Sequence, residues 1–255
     1  MVRISLPQVQ EQRAITRVIS DVDDQIIALR QLVTKKQAIR QGMMQQLLTG
    51  QTRLPGFREP WRHLRVDELL VPRTERNTQG LHLDVLTCTK HHGFVRSLDY
   101  FKNQVFSRDL NGYRVIYRGD IGYPANHVEE GSIGVQEIAD RGLVSPIYVV
   151  MRAKGGIDTY FLQRQLKLES FRQEFSRVTN ASVNRRGSLR WKEFSQITVK
   201  VPELVEQHAI SSALRDVESD IEVLGRRLEQ AKALKQGMMQ ELLTGRTRLP
   251  VEALA

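Results

Sequence analysis

Residues 6–55, LPQVQEQRAITRVISDVDDQIIALRQLVTKKQAIRQGMMQQLLTGQTRLP, align without a gap to residues 201–250, VPELVEQHAISSALRDVESDIEVLGRRLEQAKALKQGMMQELLTGRTRLP, at a constant offset of 195. Twenty-three of the 50 paired positions are identical. In the first copy Ile15, Ile19, Val22, Ile26, Leu29, Val33, Lys36, Arg40, Met43 and Leu47 recur in steps of four and three. In the second the same seam is Ile210, Leu214, Val217, Ile221, Leu224, Leu228, Ala231, Lys235, Met238 and Leu242. An alternation sustained this long is the seam of a coiled coil, not the broader stripe of a surface helix. Pro7 and Pro202 stand where a helix can open without losing a bond. Gly50 and Gly245 stand where a left-handed residue can close it. Each copy is therefore expected to be one helix, over 7–50 and 202–245, about 60 Å long at 1.5 Å per residue. A chain that leaves one helix, crosses a compact domain and returns can bring the second helix back alongside, so the pair is expected to run antiparallel.

Each seam is interrupted at the same place. Arg40 and Lys235 occupy apolar positions, and Gly42 and Gly237 follow two residues later. A glycine inside a helix costs about 1 kcal/mol relative to alanine. Two readings stand. One is local tolerance near a helix end. The other is a docking surface built from Gln41-Gly42-Met43-Met44 and Gln236-Gly237-Met238-Met239, where glycine admits a close approach and methionine adapts to a partner. The densest identity of the repeat falls here, which points to one partner met twice.

The rest of the composition narrows the class. A length of 255 residues allows one or two domains. Lys plus Arg outnumber Asp plus Glu by 38 to 29, and the net charge of +9 suits a polyanionic partner. A single cysteine, Cys88, leaves no internal disulfide and fits a reducing compartment. There is no apolar run of membrane-spanning length and no opening stretch of signal-peptide character. A cytoplasmic protein without membrane contact is expected.

Between the copies the pattern changes. Residues 56–200 carry short apolar or alternating runs, at 85–89, 113–117 and 147–151, punctuated by Asn111-Gly112, Arg118-Gly119-Asp120, Arg141-Gly142 and Gly155-Gly156. Helical spacing appears only around 160–175. This predicts a β-rich domain over 51–201 and an α+β chain overall. The segment 194–202 reads as a strand running into the second long helix, and residues 1–6 read as the remnant of a similar strand. Residues 246–255 are left as a tail.

Catalytic chemistry is not legible in the insert. His91-His92, His127 and Cys88 lack the spacing of a structural zinc site. Cys88 has no base at a diagnostic distance in sequence, and there is neither a phosphate-binding glycine loop nor a dinucleotide fingerprint. Glu129-Glu130 reads as a solvated loop. No enzyme, cofactor or metal is expected. The stretch 172–192, RQEFSRVTNASVNRRGSLRWK, is different: Arg172, Arg177, Arg185, Arg186, Arg190 and Lys192 face one acid, Glu174, with Asn180, Ser182 and Asn184 interleaved. Arginine and lysine neutralise phosphates, and asparagine and arginine can read base edges. The plain alternative is a basic surface loop. As a DNA interface, 172–192 would be joined by the loops that carry Lys90 and His91, and Tyr123, Asn126 and His127.

These residues together resemble the specificity subunits of type I restriction-modification systems. The resemblance rests on the repeated P-x-x-x-E-Q-x-x-I (Pro7, Glu11, Gln12, Ile15; Pro202, Glu206, Gln207, Ile210) and on the closing L-L-T-G-x-T-R-L (residues 47–54 and 242–249). It rests also on Arg141-Gly142-Leu143-Val144-Ser145-Pro146-Ile147-Tyr148, which looks like the R-G-x-x-S-P-x-Y segment of the family's target recognition domains. It covers nearly the whole chain. The family plan alternates two recognition domains with two antiparallel helices; each domain reads one half of a bipartite site in double-stranded DNA. The resemblance implies methyltransferase subunits docked on the helices, with Gly42, Met43, Met44, Gly237, Met238 and Met239 in the contact, and restriction subunits as further partners. Methyl transfer from S-adenosylmethionine to adenine would belong to those partners. This chain has both helices and one recognition domain, so the reading is a half-length subunit. A complete site would then need a homodimer. The rivals are pairing with a different half-subunit and an inactive monomer.

Two other classes compete. A nuclease or methyltransferase in its own right would need acidic metal clusters or a cofactor loop. A coiled-coil scaffold with a protein-binding β domain is the alternative that the basic segment 172–192 argues against.

Overall fold

A computed structural model describes residues 6–181 and 188–250. In chain order the elements are α1 (Val9–Leu47), β1 (Arg62–Arg65), α2 (Val66–Leu69), β2 (Leu70–Pro72), β3 (Leu86–Thr89), β4 (Gly93–Arg96), α3 (Ser97–Tyr100), β5 (Arg114–Tyr117), β6 (Ile121–Pro124), β7 (Gly134–Val135), β8 (Arg141–Val144), β9 (Tyr148–Ala153), α4 (Thr159–Leu166), α5 (Glu169–Ala181), α6 (Trp191–Phe194), β10 (Thr198–Val201) and α7 (Leu204–Leu243). The α+β class expected from the sequence is the one observed. Two compact units result, Met1–Gly42 with Leu214–Ala255, and Met43–Ala213. The second takes in more chain than 51–201, because it includes the last residues of α1 and the first turns of α7. No helix among the described residues is long and apolar enough to cross a membrane.

The repeat folds as its spacing dictates. All ten seam residues of each copy are buried or half-buried, while most positions between them are exposed. In the helical unit three ion pairs set the direction of pairing. Glu11 meets Arg248, Asp23 meets Lys235 and Lys36 meets Asp220, so partners along the second copy retreat as positions on α1 advance. The helices are antiparallel. The charged seam residue Lys235 is tolerated because both carboxylate oxygens of Asp23 reach its ammonium, at 2.6 and 2.7 Å. Arg40 keeps its aliphatic stem in the half-buried seam, and its Nε has no partner among the described residues.

The helix ends explain the repeated motifs. Both helices open two residues after the proline, because Gln12 and Gln207 each donate a side-chain bond to the carbonyl of that proline, Pro7 or Pro202, at 2.8 Å. The proline thus sits just ahead of the first turn, not inside it. Gly50 and Gly245 close the helices with φ of 72° and 71°. Their N–H groups bond to Leu47 and Leu242, and those of Thr52 and Thr247 bond to Gln46 and Glu241. These bonds satisfy carbonyls that the end of a helix leaves open. The helical residues end at Leu47 and Leu243, short of the expected 50 and 245.

The glutamate and arginine of the motifs form reciprocal pairs. In the helical unit Arg248 of the second copy grips Glu11 of the first with two bonds, at 2.6 and 2.5 Å. In the globular unit Arg53 of the first copy grips Glu206 of the second, at 2.5 and 2.6 Å. Both carboxylates are buried, and bidentate arginine pairs are the strong kind. The bond from Arg248 holds the Glu11 carboxyl below its ordinary range, and the bond to Glu206 raises the Arg53 guanidinium above its own.

The globular unit is built on antiparallel strands. A four-stranded sheet runs β2-β9-β6-β7, and β1 pairs with β10, β3 with β4, and β5 with β8. All four residues of β6 are buried, so this strand lies inside the unit. Leu86, Cys88, Phe94, Ile116, Val144, Tyr148 and Val150 form one apolar cluster. Gly142 is required by that cluster: a Cβ there would lie 2.6 Å from Cδ1 of Leu86, itself only 1 % exposed. The strand expected over 194–202 is shorter, because Phe194 ends α6 and points its ring into the core against Tyr123 and Phe175. Two glutamines tie α4 and its lead-in to the end of α1, to β10 and to the start of α7 within this unit. Gln165 donates to the carbonyls of Leu48 and Lys200, both at 2.8 Å, and Gln207 accepts from the N–H of Asp158 at 2.8 Å.

Candidate nucleic-acid interface

The basic segment begins on α5. Arg172 is anchored rather than free: it donates to the carbonyl of Glu129 at 3.0 Å and to the Glu169 carboxylate at 2.6 Å. Arg177 is 70 % exposed and takes both oxygens of Glu174 one turn back, at 2.8 and 2.6 Å. That bond depresses the Glu174 carboxyl and raises Arg177. The side chain of Asn180, and the whole of Ser182, Asn184, Arg185 and Arg186, lie outside the described residues. Arg190 and Lys192 are exposed at the start of α6.

The secondary loops divide. Lys90 and His91 are exposed in the turn between β3 and β4, and Lys167 donates to the Lys90 carbonyl at 3.1 Å. Lys90 and Arg172 come together across Gly131, where a Cβ would lie 3.8 and 3.9 Å from their side chains. His127 is exposed and bonds through Nδ1 to Glu130 at 3.0 Å; Asn126 is half-buried beside it. Tyr123 is different. It is fully buried in β6, with its ring 4.9 Å from that of Phe194 and no partner for its hydroxyl among the described residues. Burial pushes its phenol well above the ordinary range. As a core residue it has no surface to offer DNA, which corrects the expectation from sequence.

The structure brings forward residues that sequence reading passed over. A cleft of about 480 Å³ is lined by Arg73, Arg76 and Arg114, by residues 146–150 at the start of β9, and by Arg190, Trp191 and Lys192. The N–H of Leu189 donates to the carbonyl of Ala125 at 2.7 Å, which fixes the α6 approach against the end of β6. Arg73 is already neutralised: it takes both oxygens of the buried Asp120, at 2.7 and 3.2 Å, and lies over the Tyr117 ring. Arg76 and Arg114 face each other across an isolated antiparallel bridge. Arg76 donates to the Gly112 carbonyl at 3.1 Å and Arg114 to the Pro146 carbonyl at 3.3 Å. Burial, and then repulsion from Arg76, lower the pKa of Arg114. No carboxylate lines the cleft among the described residues. The R-G-x-x-S-P-x-Y segment thus supplies one wall. Its Tyr148 reaches back into the core and accepts the Cys88 N–H at 2.9 Å.

Cys88 is a buried free thiol, and desolvation pushes its pKa up to about 12, which suits a packing role and not a nucleophile. On the helices, Met43 and Met238 occupy the seam and are half-buried, Met44 is half-buried, and Met239 is exposed. Gly42 and Gly237 have open space where a Cβ would stand. The structure therefore leaves room at both glycines for a neighbouring group to approach.

No protein-family model matches the chain. It is 23% identical, over 270 aligned residues, to the type I restriction enzyme MjaVIII specificity subunit of Methanocaldococcus jannaschii; the alignment takes in 97% of this chain and 63% of that protein. Among solved structures, the HsdS subunit from Thermoanaerobacter tengcongensis matches 96% of this chain with a TM-score of 0.54 and 18% identity, over 61% of its own length. The type I restriction-modification S subunit from M. genitalium matches 92% with a TM-score of 0.56 and 13% identity, likewise over 61% of its length. The resemblance carried by the repeated motifs is borne out. Along nearly its whole length the chain is similar in sequence to a type I restriction specificity subunit and has the fold of such subunits, and it spans about three fifths of theirs.

Proposed function

We propose that this chain is a sequence-specific DNA-binding specificity subunit of a type I restriction-modification complex. The alignment of 97% of its length to a specificity subunit carries the reading. The globular unit reads one half of a bipartite site. The helices recruit methyltransferase subunits, which hold the S-adenosylmethionine chemistry; the chain itself is non-catalytic. DNA is met through Arg177, Arg190 and Lys192 with the segment 180–186, and on a second front through Lys90, His91, Arg172, Asn126 and His127. The relatives favour this reading over a protein-binding scaffold.

The functional unit contains two copies of the chain. One copy supplies one recognition domain, closed two-fold pairing is the common solution for identical chains, and a two-fold protein calls for an inverted-repeat site. Two measurements test these statements. Binding of the chain to duplex DNA should weaken steeply with salt, and Arg185→Ala with Arg186→Ala should flatten the slope by about one for each phosphate no longer neutralised. Unchanged binding at every salt concentration removes the segment from the interface. Sedimentation of the DNA-competent complex should give two copies; a single copy overturns the homodimer.

A further inference from the structure

We propose that the cleft between Arg76, Arg114, Arg190 and Lys192 is the seat of a single backbone phosphodiester of the bound DNA. The proposal rests on the DNA-binding reading above and says where the strand is gripped.

The charge is the first ground. Four cations line the cleft after Arg73 has been neutralised by Asp120 at 2.7 Å, and no carboxylate joins them among the described residues. The second ground is that two of these cations are held together. Arg76 and Arg114 are bridge partners. The next residue, Asn77, is 1 % exposed, and its side chain bonds to both backbone groups of Leu81, at 3.1 and 2.7 Å, while its own N–H bonds to the Tyr113 carbonyl at 2.8 Å. The backbones that carry the two guanidiniums therefore cannot drift apart. A like-charged, partly desolvated pair is unfavourable alone and is relieved by an anion between its members.

The shape of the site selects the anion. Guanidinium forks match the paired oxygens of a phosphate, and Lys192 adds a point charge. Pro146, Ile147, Val149 and Trp191 supply apolar walls beside the cations, which thins the water around them on that side and so strengthens the attraction. Asn, Gln, Asp and Glu, which read adenine and cytosine edges, are missing from the described lining. Guanine, which arginine can also read, is a neutral base and would leave four converging cations uncompensated, so the grip is on backbone phosphate. The wall formed by the R-G-x-x-S-P-x-Y segment then serves to present Pro146, whose carbonyl orients Arg114 at 3.3 Å.

The full-length chain is titrated with salt on a mixed-sequence duplex, as wild type, as Arg76→Gln, as Arg114→Gln, as the double variant and as Arg114→Lys. Helicity and melting are recorded for each. Because one phosphate is shared, the double variant should lower the slope of log affinity against log salt by about one, and Arg114→Lys should keep it. A folded double variant with the wild-type slope overturns the seat. A decrease of about two overturns the single shared phosphate, since two separate phosphates would then be engaged. Inorganic phosphate that protects the wild type from heat, but not the double variant, with no change in duplex binding between them, would assign the cleft to a free anion and overturn a DNA seat. Absence of salt-dependent binding by the wild type is a different outcome: it refutes the DNA reading itself.

Discussion

Replacing Ile26 and Ile221 by aspartate should dismantle the helical unit. Ile26 is 6 % exposed at the centre of the α1 seam, and Ile221 is half-buried at its counterpart on α7. Fully burying an isoleucine side chain is worth about 1.5–3 kcal/mol, so with Ile26 buried and Ile221 half-buried the pair forfeits about 2–4.5 kcal/mol before the carboxylates are counted. Each aspartate must also be stripped of water or forced out of the seam, which raises the loss. A whole domain is commonly stable by only about 5–15 kcal/mol. The control uses residues one or two positions away: Ile27 is 50 % and Val223 is 36 % exposed, off the seam. Ile27→Asp with Val223→Asp should change stability by no more than about 0.5 kcal/mol per site. Circular dichroism during heating is the assay, since α1 and α7 contribute 39 and 40 of the 255 residues. The seam variant should lose a large share of its helical signal and melt early. Equal melting of the two double variants would refute the seam as the source of pairing.

Gly142→Ala should cost about 1–3 kcal/mol by overpacking, because the new methyl meets Leu86 at 2.6 Å in a closed cluster; a denaturant midpoint equal to wild type would show that β8 can yield. Cys88, with its pKa near 12, should resist alkylation in the native chain at mildly alkaline pH and react only as the chain unfolds; rapid native labelling would contradict its burial. Charged substitutions at Met43, Met44, Met238 and Met239 should abolish co-purification with methyltransferase subunits while helicity persists. Retained assembly would move the docking surface elsewhere.

The helices were legible because their information is local. A seam recurring every three and four residues, a proline and Gln12 or Gln207 at the head, and Gly50 or Gly245 at the tail fix each helix from its own sequence. Strand cores such as Leu86–Thr89 and Arg114–Tyr117 were legible for the same reason. Tyr123 misled because a tyrosine between Gly122 and Pro124 looks like a loop, whereas both faces of β6 are covered. The cleft was invisible because its members are far apart in sequence. Arg76 and Arg114 are brought together by an isolated bridge, and no spacing announces that pairing. Only Arg190 and Lys192 stood in a basic cluster dense enough to notice.

Neither copy of the repeat satisfies its own arginine. Arg53 closes on Glu206, and Arg248 on Glu11. A recombination that fused the two copies and deleted what lies between them would leave a lone helix of about 40 residues. Its glutamate at the head and its arginine at the tail would be separated by roughly 60 Å, and each would lack a mate. Such a product would be compelled to find a second chain. An exchange with crossovers inside the two shared motifs has the opposite effect. It replaces everything from the first L-L-T-G-x-T-R-L to the second P-x-x-x-E-Q, so Arg53 and Glu206 cross together as one intact clasp while Glu11 and Arg248 stay behind together as the other. The repeat is in this sense an inherited socket: new domains can be traded through it whole, without one compensating mutation in the helices that receive them.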